Sequence, residues 1–413
     1  MKKRVVITGM GVISPVGNSI YTFWDSIKKG KNGIKKLTIF DATDLPTKVA
    51  ATVDDFDPSN YIDVKEARRM DRYSQFALVA AIDAVKNSNL DLMAINPERM
   101  GVMVGSGIGG IDSFEKQHAV YLEKGFKRVS PFFVTMMIAD SAAALIAIKL
   151  GAKGINECIV NSCASSTNAV GNAFRTIRDG YADIMITGGS EASITPMAFA
   201  AFCAAGRAMS VTEDPNKACR PFDIQRDGFV MGEGAGILVL EELDHAVKRG
   251  AEIIAEITGY GCTCDAYHIT APDPEGKGFV SCMKQAINDA STNIAEIDYI
   301  NAHGTSTPLN DKTESYAIKQ VFGDYADKVS VSSTKSMTGH LLGGAGAIET
   351  IITACAVKYD FVQATINYET PDPECDLKNY VLNTGKDKNV RTAITNGFGF
   401  GGHNACLVIK KYN

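Results

Sequence analysis

The sequence predicts an α/β protein built as two similar halves, and three observations carry that reading. The opening run Val5-Val6-Ile7-Thr8-Gly9-Met10-Gly11 has a counterpart in Ala255-Glu256-Ile257-Thr258-Gly259-Tyr260-Gly261. Further on, Ile184-Met185-Ile186-Thr187-Gly188-Gly189 leads to Ala235-Gly236-Ile237-Leu238-Val239-Leu240. In the same order, Thr392-Ala393-Ile394-Thr395-Asn396-Gly397 leads to Ala405-Cys406-Leu407-Val408-Ile409. Ordered matches of this kind mark an internal duplication. Finally, strand-type apolar runs alternate with helical periodicity, and 38 glycines suit the tight turns between them. The halves then span residues 1–249 and 250–413, and the longer first half carries insertions over 18–61, 108–135 and 193–229. These should lie over one end of the core.

Bulk properties set the outer limits. A chain of 413 residues with 45% hydrophobic and 22% charged residues is an ordinary globular protein with a large core. The formal charge of −5, without a basic domain carrying interleaved aromatics, argues against nucleic acid. No run approaches the roughly 20 apolar residues of a membrane helix. The apolar run after Met1-Lys2-Lys3-Arg4 stops at Thr8-Gly9, too short for an export signal. Ten irregularly spaced cysteines suit reduced thiols of a cytoplasmic protein, and Cys262-Thr263-Cys264 lacks the second pair of a zinc site.

Along the chain, 64–85 reads as one long helix with Phe76, Val79, Ala80, Ile82 and Val85 on its apolar side. Its first turns carry Lys65, Arg68, Arg69 and Arg72 at helical spacing, and Lys127, Arg128 and Arg207 in loops can extend that face. A solvated surface is the ordinary meaning of such a stripe, and an acidic partner is the other. Next, Cys158-Ile159-Val160 reads as a buried strand that gives way at Asn161-Ser162-Cys163-Ala164 to a helix with Ala169, Val170, Ala173, Phe174 and Ile177 inward. Arg175, Arg178 and Gly180 end that helix. Cys163 is therefore either a small core residue or a thiol whose ionisation the helix dipole and free N–H groups favour.

The run Arg220-Pro221-Phe222-Asp223 to Gly236 lacks the lysine and hydroxyl of a phosphate loop, and its glycines precede a strand, so a structural role fits it better. His303 and His340 follow strands over 297–301 and 329–334, at the sheet edge where open α/β folds place their chemistry, and a helix follows over 344–357. Asn301-Ala302-His303 is not the repeat of Asn161-Ser162-Cys163, because the preceding strands hold different places in the order. In Asn396-Gly397-Phe398-Gly399-Phe400-Gly401-Gly402 the glycines make either a plain hairpin bend or a close approach of N–H groups to a ligand, with Phe400 as an apolar plug.

These blocks together resemble the β-ketoacyl-acyl-carrier-protein synthases, thiolase-fold condensing enzymes of fatty acid synthesis, and among them the elongating type II enzymes. The motifs are those around Cys163, Arg220 to Gly236, Asn301 to Thr305, Lys335-Ser336 with Thr338-Gly339-His340, and Gly397 to Gly402. The resemblance implies a layered α-β-α-β-α fold and a homodimer. It implies that Cys163 takes the acyl chain, that His303 and His340 act on the malonyl thioester, and that the N–H groups of Cys163 and Phe400 hold an oxyanion. Lys335 supports the histidines through Asp311 or Glu349. Ile108, Phe133 and Phe202 match an acyl pocket completed by a second subunit, while Thr270, Thr305 and Thr307 match residues meeting a phosphopantetheine arm carried by acyl carrier protein. That acidic partner, acyl- or malonyl-loaded, gives the basic face a use. No cofactor is required, and Asn301, Ala302, Glu349, Thr395 and Asn396 match the holders of a structural monovalent cation.

Departures include Ser162, where alanine is more usual, and Cys203 with Ala205-Gly206 beside the pocket, so chain-length preference is not legible. Competing readings are a polyketide-type or coenzyme A-dependent enzyme of the same fold and a non-reacting chain-length partner subunit. A degradative thiolase would use a second catalytic cysteine, and His403 and Cys406 form no cysteine-glycine motif. A non-reacting subunit would lack Cys163.

Overall fold

The computed structural model describes residues 2–206 and 208–412. The first half supplies β1 (Val5–Ile13), β2 (Met100–Gly105), β3 (Asn156–Ile159), β4 (Ile184–Glu191) and β5 (Gly234–Glu242). The second supplies β6 (Ala255–Cys264), β7 (Tyr299–Asn301), β8 (Ser330–Ser332), β9 (Thr392–Gly399) and β10 (His403–Lys410). All ten join in the spatial order β8-β7-β9-β10-β6-β1-β5-β4-β2-β3. Read outward from the central β1–β6 junction, each flank runs through its half's first, fifth, fourth, second and third strands. The two flanks thus repeat one strand order, and the matched sequences are the equivalent strands β1 and β6, β4 and β9, β5 and β10. Cys163 follows a third strand and His303 a second, so they are not repeats of one another.

Seven helices matter here: α1 (Val64–Ala67), α2 (Arg72–Asn87), α3 (Ser141–Leu150), α4 (Ser165–Arg178), α5 (Lys277–Asp289), α6 (Pro308–Phe322) and α7 (Ala345–Tyr359). α4 and α7 pack on each other and against strands of both flanks, forming the middle layer. α7 is apolar nearly all round and buried from Ala345 to Val357, as a helix enclosed between the two flanks of one sheet must be. α2 with α3 covers the outer face of the first flank, and α5 with α6 that of the second. Three cores separate these layers: a middle one with Phe174, Leu238, Ile351 and Leu407, and outer ones around Phe76 and Ile146 and around Ile300 and Ile318. The shared Thr-Gly-x-Gly now has a reason. A Cβ on Gly11 would lie 2.0 Å from the Ala80 carbonyl of α2, and one on Gly261 2.1 Å from the Cys282 carbonyl of α5.

Two expectations change. The long helix over 64–85 is broken, because Asp71 takes extended backbone and caps α2, accepting from the Tyr73 N–H. Its other oxygen holds the Ser113 N–H at 2.8 Å. Arg72 thereby leaves the basic stripe and grips buried Glu233 in two hydrogen bonds of 2.8 and 3.0 Å. The strand before Cys163 is not buried: β3 is the open edge of the sheet, with Asn156 and Glu157 exposed. Parts of the first and third insertions, with Leu37, Phe40, Phe199, Phe202 and Phe229, form a separate cluster that reaches Leu342.

Candidate active site

Four turns converge on the site, from the ends of β3, β7 and β8 and from the β9–β10 hairpin. After β3 the chain reverses through Ser162 at φ 50, and Ala164 N–H donates to Asn161 O at 3.1 Å. Ser165 Oγ ties this turn, accepting the Asn161 N–H at 2.8 Å and donating to Ser162 O at 2.6 Å. Cys163 is thus set just ahead of α4, half-buried, on the wall of a cavity of about 470 Å³. The hairpin reaches it because residue 399 is glycine: a Cβ there would lie 3.0 Å from Cys163 N and 3.1 Å from Ala164 N. In this approach the backbone N–H groups of Phe400 and of Cys163 itself act on the sulphur and favour its ionised form.

Ionisation does not follow the expectation from the helix end. Burial pushes the Cys163 thiol up to about 12, although Lys335 and the two N–H groups favour the thiolate. Withdrawing the sulphur from water outweighs the attraction of a helix terminus. Cys163 therefore rests protonated.

His303 is fixed by its own N–H and that of Gly304, each donating to buried Glu314 at 2.8 Å. Its Nδ1 lies 3.3 Å from Lys335 Nζ, an ammonium that also donates to His303 O at 2.7 Å and to Glu349. The choice between supports is thereby decided for Glu349, since Asp311 holds the N–H groups of Phe222 at 2.9 Å and Ser306 at 3.1 Å. His340 bridges to Met231, and its Nδ1 accepts the Leu342 N–H at 3.2 Å. In both rings Nδ1 is an acceptor, so the ring proton sits on Nε2. The rings stand 5.4 Å apart at 85°, with Phe398 edge-on to His303 and Phe229 edge-on to His340. Burial first, and then the charge of Lys335, holds both well below the usual 6.5, so both are neutral donors.

Phe202, Thr270, Thr305, Thr307 and Phe400 line the same cavity as Cys163, His303 and His340. The Thr305 and Thr307 hydroxyls are 2.8 Å apart. Ile108 and Phe133 are not among its lining residues: Gly110 N–H bonds Met137 O and Cys158 Sγ approaches Ala139 O, so their segments lie beside the β3 edge. Lys65, Arg68, Arg69, Lys127 and Arg128 are exposed, with Arg69 stacked on Phe132 at 4.4 Å, and Arg207 lies outside the described residues. Ala302 is buried, and both polar atoms of Asn301, Glu349 Oε2, Thr395 Oγ1 and Asn396 Oδ1 are buried without a hydrogen-bond partner. Asn301 and Thr395 are register partners on β7 and β9. The Arg220 to Asp223 block is structural, with Arg220 3.1 Å from Asp223, while Arg226 holds the Thr307 and Pro308 carbonyls at the cavity wall.

Sequence reading passed over Glu314, Glu191 and Phe229. Glu314 shares the inward face of α6 with Asp311 and Ile318, a spacing visible in sequence as acids on an apolar stripe. For Glu191 the sequence offers little signal because, Ser193 aside, its partners come from separate segments.

Solved structures with the same fold define the class. The chain superposes on the ishigamide ketosynthase/chain length factor with a TM-score of 0.94 at 35% identity, covering 100% of both chains. A β-ketoacyl synthase from Burkholderia phymatum gives 0.92 at 34%, again over 100% of both. A type II polyketide ketosynthase in complex with its acyl-carrier protein gives 0.92 at 36% over 100% of both. These are ketosynthases of thiolase-like fold. Family models for the β-ketoacyl synthase N-terminal domain over residues 2–246 and C-terminal domain over 254–369 match, and the chain belongs to the β-ketoacyl synthase family. The 3-oxoacyl-[acyl-carrier-protein] synthase 2 of Synechocystis sp. is 52% identical over 412 residues, covering 100% of this chain and 99% of the relative. That of Staphylococcus aureus strain COL is 53% identical over 410, covering 99% of each. The chain is accordingly a condensing acyltransferase of fatty acid elongation.

Proposed function

We propose that Cys163 carries the growing chain and that His303 and His340 activate malonyl-loaded acyl carrier protein in the same cavity. The observation that carries this reading is the convergence of one thiol, two backbone N–H groups and two neutral Nε2–H donors on one apolar space. The Cys163 thiol attacks the acyl thioester, the oxyanion rests on the N–H groups of Cys163 and Phe400, and the thiol proton leaves on the carrier's thiol. One thioester replaces another, so the exchange is nearly thermoneutral. Malonyl decarboxylation then releases carbon dioxide and leaves an enolate whose oxygen takes hydrogen bonds from both imidazoles. Its carbon attacks the acyl-cysteine, giving the 3-oxoacyl product, and one proton from solvent restores the Cys163 thiol. Protonating either imidazole would turn Nδ1–H against the Leu342 N–H or the Lys335 ammonium, so low pH stops the step.

Further parts of the reading rest on placement. The Thr270, Thr305 and Thr307 hydroxyls line the path of the phosphopantetheine arm, and Phe202 borders the acyl space. Exposed Lys65, Arg68, Arg69, Lys127 and Arg128 form the docking face for the acidic carrier. The open β3 edge, flanked by Phe132, Ile138, Ile155 and Val160, all more than a third exposed, pairs with a second copy, bringing Ile108 and Phe133 into a shared acyl pocket. The orphaned oxygens of Asn301, Glu349, Thr395 and Asn396, with the Ala302 carbonyl, suit a hard monovalent cation, which would balance Glu349 behind the histidines. Residues 1–249 then hold the nucleophile and 250–413 the histidines. No helix among the described residues is long and apolar enough to cross a membrane.

Intact mass tests the core of this. Wild type mixed with acyl-carrier protein should gain the acyl mass and lose it to malonyl-carrier protein as a 3-oxoacyl product, whereas Cys163→Ala should gain nothing. A label on Cys163→Ala would place the nucleophile elsewhere.

A further inference from the structure

Glu191, at the end of β4, lies outside the reacting groups and is fully buried. Its Oε2 accepts the Gly107 N–H at 2.7 Å and the Gly343 N–H at 3.1 Å. Its Oε1 accepts the Ser193 hydroxyl at 3.0 Å and the Ile108 N–H at 3.3 Å. Two turns from opposite halves therefore share one carboxylate: the turn after β2 and the turn after His340. They also touch directly, because a Cβ on Gly343 would lie 2.0 Å from Gly107 N and 2.5 Å from the Ser106 carbonyl carbon. Leu342, the residue before Gly343, supplies the N–H that fixes Nδ1 of His340 as an acceptor. Gly343 cannot move away from Gly107 without carrying Leu342 with it.

We infer that Glu191 is a positioning residue for condensation: it clamps the Leu342-Gly343 turn against the Gly107-Ile108 turn and so holds His340 in its Nε2–H tautomer. This rests on the reading that His340 acts on the malonyl thioester. The clamp also gives the Ile108 segment, beside the β3 edge, a direct mechanical link to His340. A neutral amide in place of the carboxylate has one acceptor oxygen, so one pair of converging donors meets an NH₂ instead. None of the N–H groups aimed at Cys163 belongs to the clamp.

The test uses the full-length protein labelled with ¹⁵N-histidine, His340 being identified among the six histidines by its loss in His340→Gln. Wild type should give imidazole nitrogen shifts of the Nε2–H tautomer at His340. Glu191→Gln should give a mixture of tautomers, with the condensation kcat down about tenfold, the equivalent of one lost hydrogen bond. Acylation of Cys163, followed by intact mass, should be no slower than wild type. Glu191→Asp, which keeps the charge, should fall between, and it carries the test if Glu191→Gln does not fold. An unchanged His340 tautomer, or acylation and condensation falling together, would overturn the inference. If wild type were not acylated at all, the reaction reading would fail while the tautomer data still judged the clamp.

Discussion

Replacing Lys335 with methionine removes a charge while nearly keeping the volume, and the consequences can be worked from its three partners. The ammonium is 1% exposed and its partner Glu349 3%, so the pair gains nothing from solvent. Breaking such a pair costs about 3–5 kcal/mol when the remaining charge stays ionised. Glu349, already pushed up to about 7 by burial, escapes part of that cost by taking up a proton. Raising a carboxyl's folded pKa adds stability at low pH that drains as pH rises through it. The variant should therefore be much less stable than wild type at pH 8.5 and closer to it at pH 6, read by thermal melting.

For turnover, the variant loses the donor that fixes His303 in its Nε2–H form. A hydrogen bond from a charged donor contributes about 1.5–3 kcal/mol, which corresponds to a fall in kcat of roughly 10- to 150-fold. Lys335 also helps hold both histidines down, so without it their pKa values rise and the acid limb of kcat moves to higher pH. Decarboxylation of malonyl-carrier protein measured against pH reads both effects. A kcat within twofold of wild type together with an unmoved acid limb would refute the support assigned to Lys335.

Gly399→Ala should slow Cys163 acylation by about 100-fold or more, because the new Cβ displaces the Phe400 N–H from the sulphur, and quenched-flow intact mass measures it. Buried Glu241, bound by Arg249, His245 and Thr8, is held at about 2 against an ordinary 4.5. It contributes about 3 kcal/mol that is present above pH 4.5 and lost as pH falls through 2. Denaturant melts should show that deficit in Glu241→Gln at pH 7 and less of it toward pH 3. Lys65→Glu with Arg69→Glu should raise KM for carrier-protein substrates, more so at low salt, and leave kcat unchanged. If the open β3 edge pairs with a second copy, Val160→Lys should shift sedimentation toward the monomer.

Much of this protein was legible in one dimension because the determining contacts are local or periodic. The apolar strands, the α4 stripe of Val170, Phe174 and Ile177, and the Thr-Gly-x-Gly repeated at 8–11 and 258–261 are read from neighbours along the chain. The glycines in those repeats answer to a helix packing on its own strand. Cys163, His303, His340 and Phe400 stood out because strand-to-turn junctions have a local grammar.

What the chain alone did not decide depended on groups far apart in sequence. Asp71 broke the expected helix by reaching Ser113, and Arg72 left the basic stripe for Glu233. The ionisation of Cys163 departs from what the helix end alone suggests, because burial of its sulphur by groups distant in sequence outweighs the helix terminus. Lys335 chose Glu349 over Asp311, and Glu191 joined turns from both halves, through contacts between residues up to 152 positions apart. Sequence determined which residues could react, since that is a matter of residue type and local backbone. Only the tertiary structure decided their protonation, tautomers and supports, because burial and long-range hydrogen bonds exist only once the two halves are closed on each other.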